Sequence, residues 1–237
     1  MSLLQLRNVS KKFGGLTANE DVSFDVGEAQ VVGLIGPNGA GKTTLFNCVA
    51  GYFAPSAGSI LLQGREMAGM TPEKSARAGI GRTFQVARTF TSMTACENVM
   101  AGALLVNHST GKARSTAMHW LRFVQLDGLA DKPASTMTIS EQRRLAVARA
   151  LAIEPRILLM DEVMAGLNPS EVREAVEVVQ SIRKLGIATL IVEHVLEGIM
   201  PIADKIVVLD RGRKIADGTP ATVSQDPVVI AAYLGDE

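Results

Sequence analysis

Hydrophobic and polar positions change rhythm several times along this chain. Residues 3–9, 21–26 and 29–35 are short, partly alternating apolar stretches with Gly14, Gly15 and Gly27 between them, the pattern of strands joined by turns. The third runs into a glycine loop. Beyond Lys42, apolar Leu45, Phe46 and Val49 recur at helical spacing until Gly51, so the order is strand, loop, helix. Residues 59–63 read as a further strand. Residues 95–129 lean helical, with expected interruptions at Gly102, Gly111 and Gly128, and form an inserted helical lobe. Residues 140–153 read as a strong helix, 157–160 as a fully buried strand, 169–185 as a helix and 187–192 as another buried strand. The helix from Pro169 carries its own boundary signals: Asn168 to cap it, Glu171 at capping-box spacing and Gly186 to end it. Residues 206–209 and 214–217 read as a hairpin around Gly212. Strands alternating with helices predict an α/β fold with a parallel sheet.

Composition narrows the classes. The chain has 237 residues, 47% of them apolar, enough for one large domain or two small lobes with a real core. It carries 24 Lys+Arg against 24 Asp+Glu, a net charge of zero, and no run of like charge, which argues against nucleic acid and anionic membranes as partners. The longest apolar runs, 187–192 and 228–234, have six or seven residues, whereas a bilayer span needs about 20. Two cysteines, Cys48 and Cys96, form no framework, and no apolar leader follows Met1, so a reducing cytoplasm is the expected setting.

The segment Gly36-Pro37-Asn38-Gly39-Ala40-Gly41-Lys42-Thr43-Thr44 matches the phosphate-loop pattern in its required context, after an apolar strand and at the start of a helix. Glycines let backbone N–H groups crowd around phosphate oxygens, and the helix N-terminus adds positive partial charge. Lys42 reaches the outer phosphates, and the Thr43 hydroxyl can ligate magnesium. The strand 157–160 ends in Asp161 and Glu162, at the carboxyl end where ligands gather in α/β sheets. Asp161 is read as the holder of hydrated magnesium, and Glu162 as the group that polarises a water for in-line attack. Alone, such an acidic pair is an ordinary solvated strand end; beside a phosphate loop it is a site.

With these residues in place the sequence resembles the ATP-binding-cassette ATPases over nearly its whole length. The resemblance implies a P-loop core with an antiparallel β subdomain and an inserted helical subdomain. Residues 1–85 and 146–237 would form the core and β subdomain, and about 86–145 the helical signature subdomain. It implies that Phe13 stacks on adenine and that Gln85, in Arg82-Thr83-Phe84-Gln85, joins Thr43 and Asp161 at magnesium. It also implies that Ala165-Gly166-Leu167-Asn168 forms a D-loop and that His194 contacts the terminal phosphate, with Glu162, His194 and Gln85 as the catalytic set. Read alone, Phe13 is a core or turn aromatic, Gln85 a surface amide and His194 a satisfied histidine at a strand end.

The family signature, usually Leu-Ser-Gly-Gly-Gln, aligns with Met137-Thr138-Ile139-Ser140-Glu141, where Thr138 and Ser140 would face the ATP of a second subunit. Ile139 and Ser140 replace two glycines, and Glu141 brings negative charge. The expectation is a weakened signature, because these residues put side chains where the backbone should approach phosphate closely and resist conformations that glycine permits. Finer details resemble the ATPase subunits of bacterial importers for branched-chain amino acids and related small polar solutes. That implies ATP and Mg2+ as cofactors, and partners in transmembrane permease subunits, in a second ATPase subunit (heterodimer or homodimer) and, indirectly, in a periplasmic solute-binding protein. The implied location is the peripheral, cytoplasmic face of the inner membrane. Rival readings are the ATPase of another system, such as a lipid exporter, and a non-transport ATPase acting on nucleic acid or ribosomes. Phe90 and Met93 are either a surface that receives a permease helix or part of the helical core.

Overall fold

The computed structural model describes residues 2–83 and 89–234. β1 (Ser2–Phe13) and β2 (Leu16–Gly27) form a hairpin, and β3 (Val31–Ile35) leads through the glycine loop into α1 (Lys42–Val49). β4 (Ala57–Leu62) and β5 (Arg65–Glu66) return to that hairpin, and α2 (Pro72–Arg77) precedes the short strand β6 (Ile80–Arg82). The helical stretch is α3 (Ala95–Ala103), α4 (Thr110–Phe123) and α5 (Ile139–Leu151). Then come β7 (Ile157–Asp161), α6 (Pro169–Lys184), β8 (Ala188–Val192), α7 (Leu196–Ile199), β9 (Lys205–Asp210), β10 (Arg213–Gly218), α8 (Pro220–Ser224) and α9 (Pro227–Leu234).

One sheet has the order β10-β9-β3-β8-β7-β6, parallel except for the β10 hairpin, and the other is antiparallel in the order β2-β1-β4-β5. Every residue of β3, β7 and β8 is buried, as expected of parallel strands covered on both faces. The pleat divides them between two apolar clusters. Val32, Leu34, Ile157 and Leu159 join Phe46 of α1 and Leu4 and Leu6 of the antiparallel sheet. Val31, Ile35, Leu158 and Met160 join the helical side, with Leu145, Leu151 and Ile182. This double burial fixes the register of β3, β7 and β8, so their carboxyl ends, and the loops that leave them, lie together.

The boundary signals of α6 act as read: Asn168 Oδ1 accepts from the amides of Ser170 and Glu171, and Glu171 returns a bond to the Asn168 amide at 2.9 Å. Two expected interruptions do not occur, since Gly102 lies inside α3 and Gly111 inside α4. Gly102 serves packing instead: a Cβ there would sit 2.5 Å from the Arg149 carbonyl oxygen of α5.

Candidate nucleotide site

The buried strand β3 delivers the chain to Gly36 (φ 146°), Gly39 (φ 79°) and Gly41 (φ 93°), all in the region that favours glycine. At Gly36 a side chain would collide with the Leu209 carbonyl of β9, and at Gly41 with the Ala18 carbonyl and the Asn19 amide of β2. The loop is thus clasped by distant segments. Asn19 Nδ2 donates to the Gly41 carbonyl at 3.2 Å, and the Gly212 amide donates to the Ala40 carbonyl at 3.1 Å. Lys42, 5% exposed, donates from Nζ to the Gly36 carbonyl at 2.7 Å and the Pro37 carbonyl at 2.8 Å. Burial pulls its ammonium below the usual lysine range, and the charge of Glu162 opposes that shift. α1 has Gly41 at its N-cap, no side-chain cap and no acid in its first turn, so no side chain of the helix competes for its leading N–H groups.

Asn38, Gly39, Ala40, Gly41, Lys42, Thr43 and Thr44 line one cleft of about 480 Å³, and Glu162 and His194 line the same cleft. Asp161 ends β7 beside them, 4% exposed, its amide donating to Thr83 Oγ1 at 3.4 Å. Arg82 Nη2 stands 3.4 Å from Asp161 Oδ2, Arg82 Nη1 donates to Asn47 Oδ1 at 2.7 Å, and the guanidinium lies over the rings of Phe46 (5.0 Å) and Tyr52 (4.9 Å). Burial raises the Asp161 carboxyl above the ordinary range, and Arg82 holds it back. Glu162 takes φ 49°, an uncommon conformation for a side-chain-bearing residue, and its amide donates to the Val192 carbonyl at 2.8 Å. Its Oε1 is 3.2 Å from His194 Nε2, so the turns after β7 and β8 bring together the acid and the histidine. Gln85 lies outside the described residues. Among the described residues no cluster of three or more His, Cys, Asp or Glu could cage a metal. A hydroxyl at Thr43 and one buried carboxylate suit magnesium, which keeps several waters and takes its remaining oxygens from substrate phosphates.

Two neighbours of this site were given no role by the sequence. Arg82, within the Arg82-Thr83-Phe84-Gln85 stretch, is one. Glu193 is the other, wholly buried; its carboxyl is pushed above the usual range by burial, against the pull of backbone N–H groups that it accepts from.

Phe13 is half exposed on the hairpin; its ring meets Phe53 edge-on at 5.2 Å, and Lys11 Nζ lies 4.9 Å from its centroid. Thr138 and Ser140 lie at the start of α5 and are not among the residues lining this cleft. The backbone there uses none of the conformations reserved for glycine. α5 begins at Ile139, and neither Ile139 nor Ser140 has positive φ, so the backbone at both positions is one any L-residue adopts. Thr138 Oγ1 accepts from the Glu141 amide at 3.2 Å, Glu141 Oε2 accepts from the Thr138 amide at 2.8 Å, and Lys132 Nζ pairs with Glu141 at 3.0 Å. Those backbone bonds hold the Glu141 carboxyl below the usual range. A second cleft, about 420 Å³, runs between α2, α3 and α5 and is lined by Tyr52, Arg82, Phe90 and Arg149, with the Arg149 guanidinium 5.2 Å from the Phe90 centroid. Phe90 and Met93 are exposed rather than core, and Met93 lies outside that lining.

No helix among the described residues is long and apolar enough to cross a membrane. Residues 19–165 match the family model described as ABC transporter, and residues 213–237 match that described as branched-chain amino acid ATP-binding cassette transporter. The chain is 41% identical to the high-affinity branched-chain amino acid transport ATP-binding protein BraF of Pseudomonas aeruginosa, and 39% identical to the corresponding LivG of Salmonella typhimurium; each alignment covers 99% of this chain and 98% of the relative. It is also similar to the crystal structure of the ADP conformation of MJ1267, an ATP-binding cassette of an ABC transporter, with TM-score 0.91, 29% identity and complete coverage of both chains.

Proposed function

Since this chain belongs to the ABC transporter family of ATP-binding subunits, we propose that it hydrolyses ATP to drive an importer for branched-chain amino acids or related small polar solutes. The observation that carries the chemistry is a single cleft in which the Lys42 loop faces Glu162 and His194. The match of residues 213–237 supports the solute class.

In this reading the α1 amides and the loop N–H groups hold the phosphates, and Lys42 exchanges its two carbonyl partners for the outer phosphate oxygens. Thr43, Asp161 and Gln85 would hold magnesium, which offsets phosphate charge when bound. Glu162 takes a proton from the attacking water as its oxygen bonds to the terminal phosphorus and the bond to the bridging oxygen breaks. His194 donates to the terminal phosphate and so distinguishes ATP from ADP. Phe13 offers a ring for adenine, and Thr138 and Ser140 offer hydroxyls to the nucleotide of a facing ATPase subunit, identical or different.

The division into a core with β subdomain (1–85 and 146–237) and a helical signature subdomain (about 86–145) belongs to the same proposal. So does a peripheral position on the cytoplasmic face of the inner membrane, with permease subunits seated in the cleft lined by Phe90 and a periplasmic binding protein delivering solute. The test is deletion of the gene in its own organism. Uptake of leucine, isoleucine and valine driven by ATP is lost and returns with the intact chain but not with Lys42→Ala. Unchanged uptake of all three overturns the importer reading.

A further inference from the structure

The turn that follows β7 is held from two directions. From α5, Arg143 Nη2 donates to the Ala165 carbonyl at 2.5 Å. From the end of β8, Glu193 Oε1 accepts from the Met164 amide at 2.6 Å, and its Oε2 accepts from the amides of His194 at 3.2 Å and Val195 at 3.4 Å. One carboxylate therefore joins the turn to the backbone that carries His194, whose ring is 3.2 Å from Glu162. Packing reinforces the same join. Met164 is wholly buried, and its sulfur occupies the space where a side chain on Gly198 of α7 would have to go.

Glu193 is 0% exposed, and burying a carboxylate is costly unless its lone pairs are satisfied. Here they are spent on backbone amides of two separate segments, and the charge of nearby Glu162 raises the cost further. An apolar residue would fill this volume without that penalty, but it would hold neither segment.

We propose that Glu193 is a positioning residue, which sets His194 against Glu162 and, together with Arg143, ties α5 to the His194–Glu162 pair through the turn at 163–167. The inference rests on the nucleotide reading above. In that reading the start of α5 serves the ATP of the facing subunit while His194 and Glu162 serve the chain's own. The path Arg143, Ala165, Met164, Glu193, His194, Glu162 then links the two nucleotide sites inside one chain. Contiguity alone does not measure coupling, so the test is a double-mutant cycle.

Glu193→Gln keeps the volume but has a single acceptor oxygen, so its NH2 group must face either the Met164 amide or the His194 and Val195 amides. The full-length chain is compared with Glu193→Gln, Arg143→Met and the double variant, each with MgATP, by steady-state hydrolysis, ADP calorimetry and amide hydrogen exchange. In Glu193→Gln, kcat falls about tenfold or more while KM and ADP affinity stay within about twofold. Exchange of amides 164, 194 and 195 accelerates together, and residues 36–44 keep their protection. The double variant is no slower than the slower single, because one path is cut twice. Glu193→Asp, which keeps two acceptor oxygens, recovers part of the rate.

A Glu193→Gln kcat within twofold of wild type, single losses that multiply in the double variant, or loss of ADP affinity in step with kcat each overturns the proposal. If Glu193→Gln does not fold, Arg143→Met carries the same readouts, with exchange at 164–166. An intact chain that hydrolyses no ATP instead defeats the nucleotide reading, while exchange at 164 and 194 still reports on the tether.

Discussion

α1 and α5 both begin where a loop hands the chain to a helix, and both present N-terminal amides with positive partial charge. They treat those amides in opposite ways. At α1 the cap is a left-handed glycine, no side chain bonds to the first turn, and the turn holds no acid. At α5 Thr138 and Glu141 close a capping box, and Glu141 is paired with Lys132. A helix start becomes an anion site when its own side chains leave it alone; capping it from within gives a firmer helix and a poorer phosphate seat. The cost of leaving α1 open is met by the clasp of β2 and the β9–β10 turn around the loop.

The largest expected effect removes the open end's charge. Lys42→Ala lowers ATP and ADP affinity by about 100-fold or more in calorimetry, with the Tm of the unliganded chain little changed. Glu162→Gln separates binding from chemistry: kcat drops by about 10² to 10⁴-fold while ATP affinity holds within a few-fold, and an unchanged turnover removes Glu162 as base. Gly41→Ala strikes the backbone itself. With φ at 93° and β2 pressed against that face, it costs about 1 to 3 kcal/mol in denaturant unfolding and weakens nucleotide binding as well. Glu141→Ala tests the closed end, destabilising the chain by about 1 kcal/mol, a Tm loss of a few degrees, while freeing the Thr138 amide and tightening any ATP-dependent dimer seen in sedimentation. If that dimer is unaffected, capping does not limit the α5 end.

The smallest effect is one of pH. Burial lifts the Glu193 carboxyl above 4.5, so the native chain keeps its proton where the unfolded chain has lost it. Wild-type stability therefore declines as pH rises from the ordinary glutamate value through the raised one. Subtracting the Glu193→Gln curve from the wild-type curve isolates that slope in paired urea titrations.

The chemistry at the open end was legible because it is written locally. Glycines, a lysine and a hydroxyl in one run after an apolar strand define the loop, and an apolar run ending in Asp161-Glu162 defines the acids. Arg82 and Glu193 were illegible for the opposite reason, since each acts on segments remote in sequence and only sheet pairing brings them there. The short elements β5, α2, β6, α7, α8 and α9 went unread because tertiary packing rather than periodicity holds runs of this length. At Gly102 one residue type has two uses, breaking helices and letting them approach, and the chain used the second. At Ile139 and Ser140 the glycine positions of the signature implied backbone freedom, whereas here both residues sit at an ordinary helix start without positive φ.

The clasp around the loop also limits how the chain can be cut. Residues 19–165 hold the phosphate loop and both acids, yet Leu209 and Gly212, which wall that loop, come from far downstream. A fragment ending at 165 keeps the phosphate loop and both acids but loses His194 and the scaffold that shapes the loop, so minimising this ATPase to those two motifs yields a chain with the right letters and no seat for its fuel.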